Sequence, residues 1–413
     1  MFSYKSKLVS LAAVLFGASF AFAQDSKALI DVLIQKGILN KEEAASIQKD
    51  LVKQNAATEV STSGSKYLGK LTLSGRFQVQ YAGLSTDISG TTADPAATNH
   101  FFMRRMYLGA KADMGAGWSA TLNYDFAGTT FDAAFIEYKY SDMAVLDAGF
   151  RKVPIGLEEW YTSSGNLRAM ERSPATRFFV ESNNGRRLGA GSYRVGLYLG
   201  GKDTSGFFYN LALTNPERNE DATAGVNSAG NNTNNNLSYW ANAGYVAKIE
   251  GGSLTLSASY GFLPDQGGKT LGAGNDLSVY NAFAEYTRGP VDLQVEYFGS
   301  NNDRGASATA DSSSSAWSIQ PAYRVGDIEG VFRYSYVDSD GRGLSTSDLI
   351  RSAPSGGTMD KLSEYFAGLN FYLRGNDVKW QIGYIHGESK NTVTGGNAKA
   401  TTDGVRSMMQ VNF

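Results

Sequence analysis

From Leu71 to the carboxyl terminus, apolar and polar residues alternate one by one in short runs, and only an extended chain turns that period into two distinct faces. In the first run Leu71, Leu73, Phe77, Val79 and Tyr81 share one face, and Thr72, Ser74, Arg76, Gln78 and Gln80 the other. Leu254, Leu256, Ala258 and Tyr260 oppose Thr255, Ser257 and Ser259, and Val291, Leu293, Val295 and Tyr297 oppose Asp292, Gln294 and Glu296. Trp380, Ile382 and Tyr384 repeat the pattern. The last run, Arg406 to Phe413, sets Met409, Val411 and Phe413 against Met408, Gln410 and Asn412. Sixteen such segments start near Leu71, Phe101, Trp118, Phe131, Val145, Arg187, Gly206, Ser238, Gly252, Ser278, Val291, Ala316, Asp327, Ser363, Val378 and Arg406. Each has about 21 residues for strand and connection, enough for membrane strands of roughly 9–11 residues.

The connections alternate in length. Tight turns at Met114–Gly117, Arg288–Pro290 and Gly326 alternate with polar loops at Gly83–Asn99, Asn215–Asn236 and Ser300–Ser315. Short turns on one rim and long loops on the other characterise outer-membrane barrels. A closing strand that ends in Phe is similar to the last strand of those barrels. The expected fold is therefore all-β, a 16-stranded antiparallel transmembrane β-barrel. A sandwich of sixteen strands would bury its apolar face and make an unusually large single domain.

The amino-terminal region has a different character. Lys5 and Lys7 precede an apolar run from Leu8 to Phe20 and the exit Ala21-Phe22-Ala23, which predicts a signal peptide over 1–23 with cleavage before Gln24. No other apolar window approaches the roughly 20 residues of a membrane helix. Within 24–55, Leu29, Val32, Leu33 and Ile34 are helically spaced, Gly37 interrupts, and Asn40 with Glu43 forms a capping-box-like pair before Ala44, Ile47 and Leu51. That reads as a short periplasmic helical hairpin, either a spacer or an element that trimerises the protein or touches the cell wall. Residues 56–69 read as a linker and 70–413 as the barrel.

Composition limits the chemistry. The absence of Cys among 413 residues excludes thiolate metal sites and Cys nucleophiles. Without Lys5 and Lys7, 36 of the 38 basic residues face 40 acidic ones, a net charge of −4, which suggests neither nucleic acid nor anionic lipid as partner. His100 and His386 lack a nucleophile motif, so no catalytic residue and no enzyme activity is expected. Asp303, Asp311, Asp338 and Asp340 lack the ligand spacing of a calcium loop, and no metal or other cofactor is expected.

Charge concentrates in 151–194. Arg151, Lys152, Arg168, Arg172, Arg177, Arg186, Arg187 and Arg194 stand against Glu158, Glu159, Glu171 and Glu181. Pro154 to Asn184 is also the longest stretch without a clean strand pattern, which predicts an inward constriction loop around 154–184. Cations lining a narrow passage attract anions. In the second strand Met106, Leu108, Ala110 and Ala112 are apolar, so alternation sends Arg105 to the lumen with Lys111 and Asp113. Arg104 joins it only if a bulge or strand end intervenes.

The stretch from Phe101 to Ser192 resembles the phosphate-selective porin O and P family. The matching residues are Phe102-Met103-Arg104-Arg105-Met106-Tyr107-Leu108, Asn123-Tyr124-Asp125-Phe126, Phe131-Asp132, Gly149-Phe150-Arg151, Gly156-Leu157-Glu158, Thr162-Ser163-Ser164, Glu171-Arg172 and Arg187-Leu188-Gly189. The resemblance implies a homotrimeric porin in the outer membrane, seated in its lipid and passing small anions. It further implies an anion-binding pair at Arg104 and Arg105, with Asp132 and Ser163 in the constriction. Where phosphate-selective members carry a lysine after Gly-Leu-Glu, this chain has Glu159, and Lys152 or Arg168 would have to substitute. Glu137, Glu285, Asp292 and Glu296 also fall on the lumen face. Two functions therefore stay open: an anion-preferring pore governed by Arg104, Arg105, Arg151 and the basic loop, or a general, weakly cation-preferring one.

Overall fold

A computed structural model of the chain describes residues 58–60, 68–90, 93–181, 187–215, 236–264, 276–303, 311–392 and 398–413. The expected leader over 1–23 and hairpin over 24–55 lie outside them, as does most of the expected linker. A three-residue strand, Thr58–Val60, falls inside that linker.

Sixteen strands follow: β1 Lys70–Ile88, β2 Thr98–Gly115, β3 Trp118–Asp125, β4 Thr130–Ser141, β5 Ala144–Lys152, β6 Tyr193–Lys202, β7 Phe207–Thr214 and β8 Ser238–Ile249. The second half comprises β9 Gly252–Leu263, β10 Leu277–Arg288, β11 Val291–Asn302, β12 Ser315–Val325, β13 Ile328–Asp338, β14 Lys361–Asn376, β15 Val378–Lys390 and β16 Lys399–Asn412. Each pairs antiparallel with its sequence neighbours, and β16 returns to β1, with Ala400 opposite Ile88 and Asn412 opposite Arg76. The ring is closed, so each of these sixteen strands has a paired neighbour on both sides. That closure is what permits strands to cross hydrocarbon, where an unsatisfied backbone group costs several kcal/mol. No helix among the described residues is long and apolar enough to cross a membrane.

The alternation resolves into outside and inside. Leu256 and Tyr260 are each 49 % exposed on the outer wall, while Thr255, Ser257 and Ser259 on the other face are buried within. This inverts the arrangement of a soluble domain, because the outer solvent is lipid and the inner space is polar. Aromatic pairs mark both rims: Trp118–Tyr138 and Phe371–Trp380 near the short turns, and Trp317–Tyr334 and Tyr334–Tyr365 toward the long loops.

Two boundaries differ from the sequence reading. The strand expected from Arg187 begins at Tyr193. Leu188 and Ala190 alternate like strand residues, but their amides donate to the Phe178 and Phe179 carbonyls inside the loop, both at 2.8 Å. The final strand begins at Lys399 rather than Arg406, because Thr401, Thr402, Asp403 and Gly404 mask its alternation. The strands run from 8 to 19 residues, some well beyond the span of the hydrocarbon.

Two loops on the long-loop rim fold into the barrel. The first spans 153–192 and holds a π-helical turn, Leu157–Tyr161, and helix α1, Pro174–Val180. The second spans 339–360 and holds a short helix α2, Thr346–Leu349. An inward loop was expected around 154–184, and none was expected around 339–360.

Candidate pore constriction

The 153–192 loop stays inside because it is amphipathic toward its surroundings. Val153, Ile155, Met170, Phe178, Phe179 and Leu188 are all buried with wall residues Leu263, Leu277, Val279, Phe298 and Val337, and Leu157 is buried as well. Phe179 stacks on Phe298 with ring centroids 5.1 Å apart. Burying a side chain of this size is worth about 1.5–3 kcal/mol, so these contacts offset part of the entropy of ordering the loop and the hydrogen bonds below supply more.

Its polar backbone is satisfied by the inner faces of β14 to β16 and of β1. Lys379 donates to the Leu167 carbonyl at 2.9 Å, Gln381 and Asn370 to the Arg168 carbonyl at 2.8 and 2.9 Å, and Gln410 to the Gly165 carbonyl at 3.0 Å. A loop crossing a lumen needs such donors, since buried carbonyls are rarely left unpaired. Gly165 lets the loop lie close to Arg76: a Cβ there would sit 2.6 Å from the guanidinium, which would have to move. Gly156 starts the π-helical turn at φ +91, where a side chain would be strained.

Carboxylates inside the loop hold its shape. Glu158 accepts from the Ser173 amide at 2.6 Å and the Thr176 hydroxyl at 2.9 Å, just where Ser173 caps α1 through the Thr176 amide. Glu296 on β11 accepts from the Leu157 amide at 2.5 Å and from Asn281 at 3.1 Å. Glu296, expected as a lumen charge, is thus an anchor for the loop.

The arginine pair is settled by a bulge. Gln78 faces Arg105, but the next residue, Val79, faces Met103, so Arg104 is the extra residue of β2. Both side chains then reach inward. Arg104 donates from Nε and Nη2 to Glu171 at 2.5 and 3.0 Å, and Arg105 donates to Gln78 at 2.7 Å. Arg76, on the polar face of β1, donates to Asn412 at 2.8 Å, Ser164 at 2.6 Å and Ser163 at 3.1 Å. The guanidinia of Arg105 and Arg76 therefore meet neutral hydrogen-bond partners, whereas Arg104 meets a carboxylate.

Asp132, Glu159, Arg168 and Arg151 each have partners of their own. Asp132 accepts from Tyr107 at 3.2 Å and Asn123 at 3.3 Å, and it acts electrostatically on Arg76 and Lys152. Glu159 is 3 % exposed and matched: Arg172 Nε lies 2.6 Å from it, and Lys152 Nζ lies 3.5 Å from its carboxylate and donates to its carbonyl at 2.6 Å. Glu159 thus stands beside two cations, one of them the Lys152 expected as a substitute. Arg168 does not act as a free substitute cation; it pairs with Asp292 at 2.5 Å and with Glu329. Arg151 pairs with Asp147 and lies over the Phe135 and Tyr198 rings, 5.2 Å from each centroid. It lines an open lumen cavity of about 410 Å³ with Lys152, Trp160 and Glu137, on the short-turn side of the loop.

Sequence reading did not single out Arg76, Arg172, Arg351 or Arg406 as site residues. Arg76 and Arg406 were legible from alternation, since Gln78 and Met408 beside them face inward. Arg351 had no local signal.

A closed sixteen-stranded barrel with an apolar exterior, a polar interior and an infolded loop is an outer-membrane channel. The family model for phosphate-selective porin O and P matches residues 71–413, and the chain belongs to that family. Solved structures of similar fold include the anion-selective porin from Comamonas acidovorans, at TM-score 0.56 and 13 % identity, with 83 % of this chain and 99 % of that one covered. The outer membrane channel DcaP of Acinetobacter baumannii aligns at TM-score 0.55 and 11 % identity, covering 86 % and 100 %. Salmonella typhi OmpF aligns at TM-score 0.53 and 14 % identity, covering 86 % and 100 %. No curated protein sequence matches the chain.

Proposed function

We propose that this protein is an anion-preferring diffusion porin for small hydrophilic solutes, with its constriction at Arg76, Arg104, Arg105, Lys152 and Arg172. The observation that carries this reading is the bulge at Arg104, which turns two consecutive arginines into the lumen beside Arg76. Glu159 does not cancel them, being matched by Lys152 and Arg172. Ser163, Ser164, Tyr107 and Asn123 supply neutral donors around the same space, and Asp132 supplies the acid that keeps an anion from resting there too tightly. Transport needs no cofactor: solutes run down their own gradient, and wall charge sets which ion is enriched in the passage. Homotrimers seated in outer-membrane lipid complete the reading, and residues 24–55 would serve as spacer or cell-wall contact.

The test is the reversal potential of purified protein in a planar bilayer under a KCl gradient. A value near the chloride limit is the expected result. A value at zero or toward potassium would favour the second reading, a general or weakly cation-preferring porin, to which Glu285, Asp292 and Glu329 on the inner face of β10, β11 and β13 would contribute. Added phosphate reducing the chloride current would narrow the solute to phosphate-like anions.

A further inference from the structure

The 339–360 loop enters the barrel beside the 153–192 loop and is held as firmly. Leu344, Leu349, Ile350 and Met359 are buried, and the Leu344 amide and carbonyl pair with Met359 across the loop's base. Thr86 on the inner face of β1 donates to the Pro354 carbonyl at 3.1 Å, and Arg177 of α1 donates to the Asp348 carbonyl at 2.9 Å. Arg406 on β16 donates to the Arg351 carbonyl. Sequence position alone would make this an ordinary outer loop. Its contacts place it in the lumen.

Arg351 is where this loop meets the constriction. Its Nε donates to Glu171 at 3.1 Å and its Nη2 lies 3.5 Å from Glu181. Glu171 is also held by Arg104 and lies 3.9 Å from Arg406, while Glu181 pairs with Arg177 and Arg187 at 2.9 and 2.6 Å. Five guanidinia thus share two carboxylates, leaving a cationic excess. Arg351 alone contacts both carboxylates, and at 31 % it is the most exposed of the five, against 11 % for Arg104 and 18 % for Arg187. A permeating ion on the long-loop side meets this guanidinium before the more deeply buried ones.

We propose that Arg351 is a selectivity-determining residue of the pore, delivered by a second infolded loop that the 153–192 loop does not include. It acts by leaving positive charge uncompensated at the junction of the two loops, so that anions are enriched there before they reach Arg104 and Arg105. This deepens the anion-preferring reading and rests on it.

The chain has no cysteine, so Arg351→Cys introduces a single thiol that can be charged at will in the assembled full-length channel. The thiolate attacks a methanethiosulfonate reagent, forming a mixed disulfide and releasing methanesulfinate. The sulfonatoethyl reagent adds a negative charge and the trimethylammonium-ethyl reagent a positive one. The expected result is a fall in the chloride-over-potassium permeability ratio of about two- to fivefold with the anionic reagent, the effect of one charge some 4–8 Å from an ion in water. The cationic reagent should restore the ratio, and Arg351→Lys should keep it. A thiol labelled fully by mass but without effect on reversal potential, or one unreactive in the open channel, overturns the proposal. Equal effects from both reagents would mean a packing role and overturn it too. An unmodified channel without anion preference would refute the anion-preferring reading alone, since a sign-dependent shift at position 351 would still mark Arg351 as a determinant.

Discussion

Arg104 on the barrel wall donates two hydrogen bonds to Glu171 of the infolded loop, at 2.5 and 3.0 Å, and so ties the β2 bulge to the segment that narrows the lumen. The pair is 11 % and 7 % exposed. Glu171 accordingly has two roles, since it anchors the loop and removes part of the charge of an arginine that would otherwise face the passage. Breaking one partner of a buried pair costs about 3–5 kcal/mol because the other charge is left without compensation.

Glu171→Gln is expected to loosen the 153–192 loop while leaving the barrel folded. Single-channel recordings should show a larger, noisier conductance, and heat-modifiability on gels should be unchanged. Quiet openings of wild-type size would contradict the anchoring role.

Arg105 donates to a neutral partner, Gln78. Arg105→Gln should therefore cut anion preference by about two- to fivefold without altering stability much, because the loss is one charge close to the ion path. Reversal potential and thermal midpoint, measured on the same preparation, separate the two effects.

Glu159→Gln tests whether this carboxylate offsets the cations of the passage. With Lys152 and Arg172 matched to it, removing its charge adds net positive charge to the constriction. The reversal potential should move further toward chloride. An unchanged value would mean that Glu159 does not face the ion path.

Phe179→Ala removes the ring that stacks on Phe298 in the dry core between loop and wall. A buried Phe→Ala change costs about 3–5 kcal/mol. Loss of that contact should release α1 and raise conductance several-fold, while selectivity falls because the loop cations leave the passage. Protease cleavage within 153–192, absent in wild type, would report the release directly.

Acid should act late. Burial disfavours ionisation of Glu181, but Arg177, Arg351 and Arg187 outweigh it and bring its carboxyl from 4.5 down to about 2. Burial acts the same way on Glu171, and Arg104 and Arg351 outweigh it, holding that carboxyl well below 4.5. A group whose folded pKa is depressed contributes in full above its unfolded value and loses that contribution as pH falls toward the folded one. The contribution of Glu171 and Glu181 to loop anchoring should thus be constant from about pH 8 to 5 and decline between about pH 4.5 and 2. Conductance measured through that range checks it, and a midpoint near pH 6 would contradict the assignment.

The strand count and the inside–outside assignment were readable because a barrel wall interacts with two uniform media. Leu256 needs only lipid and Ser257 only the polar interior, so each position declares its side locally. The 153–192 loop stood out only as a break in that pattern with excess charge. What could not be read was which charges meet. Arg168 and Glu159 looked like pore-facing cation and anion, yet one is neutralised by Asp292 and Glu329 and the other by Lys152 and Arg172. Those partners lie as far as 161 residues apart in the chain.

Amino-acid order by itself therefore determined the barrel, its sixteen strands and the inward face of Arg105, since period-two alternation is a local property of each strand. Only the tertiary structure decided that Arg104 turns inward with it, because a bulge depends on the register against Gln78 and Val79. It also brought Arg351 to Glu171, across 180 residues, by seating a second loop in the lumen. Electrostatic neutralisation acts over a few ångströms of space, and closing a ring of strands sets those distances in ways that separation along the chain does not encode.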